Sequence, residues 1–275
     1  MAITDPVLDH SLDQTYPASD PPTPLRADQE PQTPMSEEAR RYNYERFGRA
    51  RNEVAFHMLH EYQPLGADPL GVSYFSLDGA RIERSHWLER PLVLEIASYS
   101  EPCFWRNNSR MNHLARQFPD IRFAILYVRE AHPGDHFPPH RSLAQKLEQA
   151  SQLQTRVDPI RQVIVDHLDG RGHRILGGLP QSVFVFDRQG RERLRLAWND
   201  PELVQLTLLE QGMSERDVPP LGENLPQPST WQCLRILNRT VGPKAAWDFL
   251  VCVPERWHYH RQVKKFWREK RSGAC

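Results

Sequence analysis

Between residues 70 and 212 the chain alternates short apolar runs with helix-length segments, and this alternation predicts an α/β domain. Pro91 to Ser98 and Ile121 to Val128 are apolar runs of strand length, bounded by turn signals. Between them, Trp105 to Phe118 is long enough for a crossover helix. Further along, Asp187-Arg188-Gln189-Gly190 separates two β-rich stretches in the manner of a hairpin turn.

Residues 1–35 are rich in Pro, Asp, Ser and Thr and poor in large apolar side chains, so they cannot offset their ordering entropy and are expected to form a disordered tail. The Pro-Pro-Thr-Pro and Pro-Gln-Thr-Pro pieces read as parts of that solvated tail. Ser36, followed by Glu37 and Glu38, is a helix start with acids at the positive end of the dipole. A helix is predicted to about Tyr62 within an N-terminal segment 36–69, ended by Pro64, Gly66 and Pro69. The domain 70–212 then carries the strand at 91–98, the helix at 105–118, the strand at 121–128, a helix at 142–154 and a strand at 162–166. Its hairpin pairs 182–186 with 193–198, and a helix at 201–211 closes it.

Residues 213–275 form a C-terminal helical extension behind a linker with Pro219, Pro220, Pro226 and Pro228. Short helices are predicted at 231–237, 245–251 and 257–271. Trp247, Phe249, Trp257 and Phe266 are expected to pack this extension and the N-terminal helix onto the core. The last helix is basic (Arg261, Lys264, Lys265, Arg268, Lys270, Arg271) and reads as a solvated face.

Lys+Arg and Asp+Glu are equal at 35 each, so no global field favours nucleic acid, and none is expected as a partner. No apolar run reaches the length of a membrane span, so a cytoplasmic location is expected. Cys103, Cys233, Cys252 and Cys275 are scattered without CxxC or finger spacing, which argues against a disulfide framework. His132, His136 and His140 recur every four residues beside Asp135. Pro133, Gly134, Pro138 and Pro139 forbid the helix that would make this a ligand stripe, so no metal is expected. Asp135 reads as capping the turn or orienting His132.

Tyr127-Val128-Arg129-Glu130-Ala131-His132-Pro133-Gly134-Asp135 resembles the Tyr-Ile-Glu-Glu-Ala-His-Pro-Ser-Asp signature of the iodothyronine deiodinases, selenoenzymes of thioredoxin fold. Leu77-Asp78-Gly79, Arg90-Pro91-Leu92-Val93-Leu94, Pro139-His140-Arg141-Ser142-Leu143, Val163-Ile164-Val165-Asp166 and Leu179-Pro180 resemble further family segments in the right order. The element order β-α-β-α-β-β-α is that of a thioredoxin-like fold. The resemblance implies that Pro180 is cis and faces the active loop. In a gapless match Glu101 takes the selenocysteine position and Cys103 that of the second proline after a cysteine-threonine pair.

Two enzymatic readings follow from the resemblance. In one, Cys103 is a thiol nucleophile near a helix N-terminus, where amides and dipole lower a thiol pKa, with His132 and His140 as proton donors. The molecule is then a deiodinase-like oxidoreductase acting on a small aromatic or halogenated substrate, without a bound cofactor and with a thiol reductant. In the other, Glu101 is a general base with the same histidines in a non-redox isomerase, cyclase or lyase. A third class is a catalytically inactive protein that binds a partner. Tyr99, Ser100, Glu130, Pro180 and Trp198 are the expected substrate-binding residues. Trp198 stands where the inner-ring enzyme has an arginine, which favours a flat, apolar ligand over a charged one. A homodimer is compatible with the sequence.

Overall fold

The computed structural model describes residues 35–48, 69–87, 89–209 and 228–271. The tail expected over 1–35 (all but Met35), the continuation of the first helix over 49–62 and the prolines of the linker before Pro228 lie outside the described residues.

The sheet is built on β3 (Leu92–Ala97), β4 (Arg122–Tyr127) and β5 (Arg161–Val165), all parallel. The hairpin β6 (Val183–Phe186) and β7 (Glu192–Leu196) adds antiparallel on the other side of β3. A small hairpin, β1 (Tyr74–Phe75) and β2 (Arg81–Ile82), extends the β5 edge, so the strand order is β2-β1-β5-β4-β3-β6-β7. The one-turn helix α2 (Arg84–Trp87) leads from that hairpin into β3. Crossover helices α3 (Pro102–Gln117) and α4 (Leu143–Gln154) follow β3 and β4. The short α5 (Arg171–Ile175) follows β5, and α6 (Pro201–Leu209) follows the hairpin. This is the thioredoxin-like α/β arrangement that the sequence predicts. β3 and β4 are buried along their whole length because helices cover both faces of the parallel sheet.

Ion pairing stitches the sheet where a charge would otherwise be stranded. Glu95, in the middle of β3, is buried and pairs with buried Arg161 of β5, while Asn199 donates to its other oxygen. Arg161 also donates to Asn108 and Asn112 Oδ1 on α3 (2.9 and 2.8 Å), which leaves the guanidinium well satisfied.

α1 spans Glu37–Tyr42 and ends at Asn43, far short of Tyr62. Asn43 Nδ2 donates to Ala39 O and, across the chain, to Leu168 O (2.9 and 2.8 Å), and these bonds tie the helix end to the loop after β5. Tyr42 is the anchor. Its hydroxyl meets His173 Nδ1 at 2.8 Å, and Arg129 lies 4.8 Å from its ring centre. The ring rests against Gly170, where a Cβ would come within 2.1 Å of Tyr42 Cζ.

The C-terminal extension consists of α7 (Thr230–Thr240) and α8 (Pro243–Arg271). Where two short helices were expected beyond residue 245, one helix runs through Pro254. A mid-helix proline forfeits one backbone hydrogen bond. Buried Cys252 and Val253 beside it show that tertiary packing holds the helix across this break. Phe249 packs in the core as expected, whereas Trp247 and Trp257 are 62% and 59% exposed and do not. The side chain of Phe266 and those of Lys264, Arg268, Lys270 and Arg271 lie outside the described residues; Arg261 and Lys265 are exposed.

The extension docks on the loop that follows β4. His136 N donates to Val241 O (3.0 Å), and Asp135 Oδ2 accepts from Lys244 N (3.4 Å) at the start of α8. Asp135 therefore caps the extension and does not orient His132. A Cβ at Gly134 would stand 2.8 Å from Val241 Cγ1 and 3.0 Å from Ala245 Cβ, so this glycine permits the close approach.

Gly170 combines a left-handed φ of 72° with the Tyr42 ring against its α-carbon. Gly170→Ala is expected to destabilise the fold by about 2 kcal/mol or more in urea unfolding. A change below ~0.5 kcal/mol would show that the docking of Tyr42 is not tight.

Candidate functional site

The carboxyl ends of β3 and β4 are sewn together by alternating hydrogen bonds. Ala131 N donates to Ser98 Oγ (3.1 Å), Ser100 N to Glu130 Oε2 (2.8 Å) and His132 N to Ser100 Oγ (2.9 Å). Adjacent parallel strands deliver two loops side by side here, and the serine hydroxyls saturate backbone groups that the ladder no longer reaches. The loop after β3 and the acid and imidazole after β4 are thereby held at one place.

Glu130 is the hub of a buried polar cluster. Tyr127 OH donates to its Oε1, and His140 Nε2 lies 3.9 Å from the same oxygen. His140 Nε2 also meets Gln149 Oε1 at 3.0 Å, while Gln149 Nε2 donates to Pro138 O (3.3 Å), which fixes the amide's orientation. His140 is thus the Nε2–H tautomer, and its buried Nδ1 has no hydrogen-bond partner among the described residues. Burial raises the Glu130 carboxyl above its ordinary range, although the Ser100 and Tyr127 hydrogen bonds oppose this, and pushes His140 well below its usual value.

Glu101 is the N-cap of α3, accepting from Cys103 N at 3.1 Å with Pro102 in the first turn. This cap starts the helix at Pro102, ahead of the predicted Trp105. Burial raises the Glu101 carboxyl, while hydrogen bonds from the Cys103 amide and thiol and the charge of Arg256 act against that shift. The Cys103 thiol was expected to be acidified by the helix terminus. It is pushed well above its usual value, first by burial and then by the neighbouring Glu101 carboxylate, while a hydrogen bond with Gln181 opposes. A capping carboxylate already occupies the helix's positive end, so the thiol gains nothing from it.

His132 sits between the rings of Phe47 (4.2 Å between centroids) and Phe249 (5.6 Å). Its Nδ1 is buried without a hydrogen-bond partner among the described residues, and burial together with the Arg256 charge lowers its pKa to about 3. Tyr99 stacks on Phe137 (3.6 Å, 11°), and its carbonyl accepts from Trp105 Nε1.

The structure therefore gathers Tyr99, Ser100, Glu101, Cys103, Glu130, His132 and His140 around one pair of loops, all 6% exposed or less apart from their shared packing. Trp198 and Pro180 stand differently. No hydrogen bond or ring contact joins Trp198 to Tyr99, Ser100 or His132 among the described residues; its neighbour Asn199 donates from Nδ2 to Glu95 on β3 and accepts at its carbonyl from Asn107 Nδ2 on α3 (2.8 Å). No peptide bond among the described residues is cis, so Pro180 is trans, contrary to what the resemblance implies. Gln181, the next residue, is buried and opposes the rise of the Cys103 thiol.

Sequence reasoning missed Tyr127, Gln149, Gln181 and Arg256. Tyr127 carried a signal, three residues before Glu130 at the strand's end. Gln149 on a helix face and Arg256 in the extension carried none. Among the described residues no group of His, Cys, Asp and Glu is arranged to hold a metal ion, and no helix is long and apolar enough to cross a membrane.

A sequence profile of the iodothyronine deiodinase family matches residues 26–193, more than half of the chain. The chain belongs to the iodothyronine deiodinase family. It is 30% identical over 107 residues to the thyroxine 5-deiodinase of Sparus aurata, a match covering 35% of this chain and 40% of that relative. Over 202 residues it is 28% identical to the type II iodothyronine deiodinase of Gallus gallus, covering 65% and 70%. Among solved structures, a thioredoxin-like protein from Aeropyrum pernix is 12% identical with a TM-score of 0.42, covering 50% of this chain and 88% of that one. The fold assignment rests on the strand order given above. The match ends before the C-terminal extension, and all of α7 and α8 lies beyond it.

His132 titrates near 6.5 when unfolded and near 3 when folded, so it supports folding in full above 6.5 and loses that contribution as pH falls toward 3. The stability of His132→Phe relative to the parent should therefore improve by about 1.4 kcal/mol per pH unit below 6.5. Urea unfolding of both proteins at several pH values reads this, and a pH-independent difference would mean that the imidazole is not buried neutral.

Proposed function

We propose that the chain is a deiodinase-like thiol oxidoreductase that removes halogen from a small aromatic molecule. The observation that carries this reading is the placement of Cys103 against the buried Glu101 carboxylate, which accepts from the Cys103 amide at 3.1 Å at the start of α3. A thiol with a raised pKa needs a base at hand, and a carboxylate raised by burial is better matched to that task than a free one. Sulfur attacks the halogen of R–X, the S–H proton passes to Glu101, and the carbon takes a proton to give R–H and a Cys103 sulfenyl halide. Two equivalents of an external thiol then release HX and a disulfide and restore Cys103. His132, whose Nδ1 has no hydrogen-bond partner among the described residues, orients the ring's polar substituent. The Glu130, Tyr127, His140 and Gln149 cluster conducts the proton toward the loop.

A second reading is favoured by one observation, the burial that keeps Cys103 protonated. In it Glu101 acts as base in a non-redox isomerase or lyase and the thiol is a spectator.

With an ortho-iodinated phenol and dithiothreitol, the parent protein should release iodide. Cys103→Ala should abolish release and Glu101→Gln should lower it by roughly 10²- to 10⁴-fold. Because the carboxylate is the working form, the rate should rise with pH through the upward-shifted Glu101 titration. Iodide release that survives Cys103→Ala contradicts the thiol reading. If instead the parent turns over a non-halogenated substrate that is lost in Glu101→Gln alone, the acid–base reading holds.

A further inference from the structure

The chain that leaves α1 crosses the candidate site, and its residues are fixed to very different degrees. Tyr42 is buried with its hydroxyl on His173 Nδ1 (2.8 Å), and buried Asn43 donates to Leu168 O (2.8 Å). Tyr44 OH donates to Ala131 O (2.7 Å) in the loop after β4. The next three residues belong to no helix or strand. Glu45 pairs with Arg141, and Arg46 Nε donates to Asp248 Oδ2 on α8 (3.0 Å). Phe47 then lies on the imidazole of His132, with 4.2 Å between ring centres. A Cβ at Gly48 would meet nothing within 4 Å, so the chain just past the ring stands in open space.

His132 is itself buried, and rings from two segments face it, Phe47 and Phe249. Phe249 is a core residue of α8 and has nowhere to go. Phe47 is only half-buried, and the side chains that hold its segment down are largely in water: Glu45, Arg46 and Arg141 are each about 60% exposed. Ion pairs so exposed contribute little. A ligand reaches the buried Nδ1 of His132 only when part of this cover moves, and the Phe47 side can move while Tyr42, Asn43 and Tyr44 stay docked.

We propose that residues 45–47 are the gate of the candidate site: the Phe47 ring holds the place of an aromatic ligand on His132, and the ligand enters by displacing it, with the Arg46–Asp248 pair as the latch. This rests on the reading of the two loops as a site for a small aromatic molecule. The leaving ring and the entering ring make the same kind of contact with the imidazole, so the exchange loses little aromatic packing. Closed, the gate keeps water from the buried acids and thiol; open, it gives His132 Nδ1 to a polar substituent on the ligand.

Diethyl pyrocarbonate acylates neutral imidazole, so its rate at His132 in the full-length protein at neutral pH, read by peptide mass analysis, measures the cover without turnover. Phe47→Ala should raise that rate by about tenfold or more and Arg46→Gln by about threefold or more, as local opening requires. Arg41→Gln, which breaks only an exposed pair with Glu37 on α1, should leave it unchanged. His173, joined to Tyr42, should stay protected in every variant. In the parent, 4-iodophenol should slow acylation of His132, and in Phe47→Ala it should do so at lower concentration. Rates at His132 that match the parent in both Phe47→Ala and Arg46→Gln overturn the proposal, as does 4-iodophenol without effect on His132. A parallel rise at His173 marks general loosening and overturns it too. Gate behaviour as expected in a protein that releases no iodide would overturn the dehalogenase reading and leave the gate standing.

Discussion

The serine-mediated lacing of β3 to β4 is the constraint on which the site depends. Without the Ser98 and Ser100 hydroxyls, the amides of Ala131 and His132 would be buried donors without acceptors at the point where the strands diverge. With them, two loops that carry an acid, a thiol and an imidazole are fixed in mutual register. Glu130 closes the lacing by accepting from the Ser100 amide, so one carboxylate both braces the loop and centres the polar cluster.

Holding ionisable groups in so dry a place has a consequence for their chemistry. Burial favours the neutral form of each: His132 and His140 as free bases, the Glu101 and Glu130 carboxyls shifted toward protonation, Cys103 as a thiol. Such a set exchanges protons with little rearrangement of charge. Arg256 and the Phe249 ring belong to a helix pair that covers this region, so the extension supplies both dryness and a cation. Arg46, which donates to Asp248 at 3.0 Å, and Phe47 on His132 bring the N-terminal segment to the same cover.

Much of this was legible in the sequence. The β3, β4 and β5 runs are long, apolar and clearly bounded, and their order specified the fold. The Glu130-Ala131-His132 segment marked the site because a strand that ends in an acid and an imidazole has few structural reasons to do so. Tertiary context decided the rest. Asn43 stops α1 through a bond to Leu168, more than a hundred residues away, and Pro254 stays helical because its neighbours are buried; neither fact has a local signature. Cys103 was misjudged for a related reason. Its nearness to a helix start was readable, but the carboxylate that occupies that start as a cap was read as a general base and not as a cap. Gln149, Gln181 and Arg256 are ordinary surface residue types by sequence, and only the fold turns them inward.

The proposed reaction depends on the Glu101 carboxylate standing beside the Cys103 thiol at the start of α3. The infrared S–H stretch of Cys103, isolated as the difference between the parent and Cys103→Ser, reports it directly. The band is expected to persist above the free-thiol pKa of about 8.5 and to shift when Glu101→Gln is introduced. A thiol already ionised at neutral pH, or a band indifferent to Glu101, would contradict it.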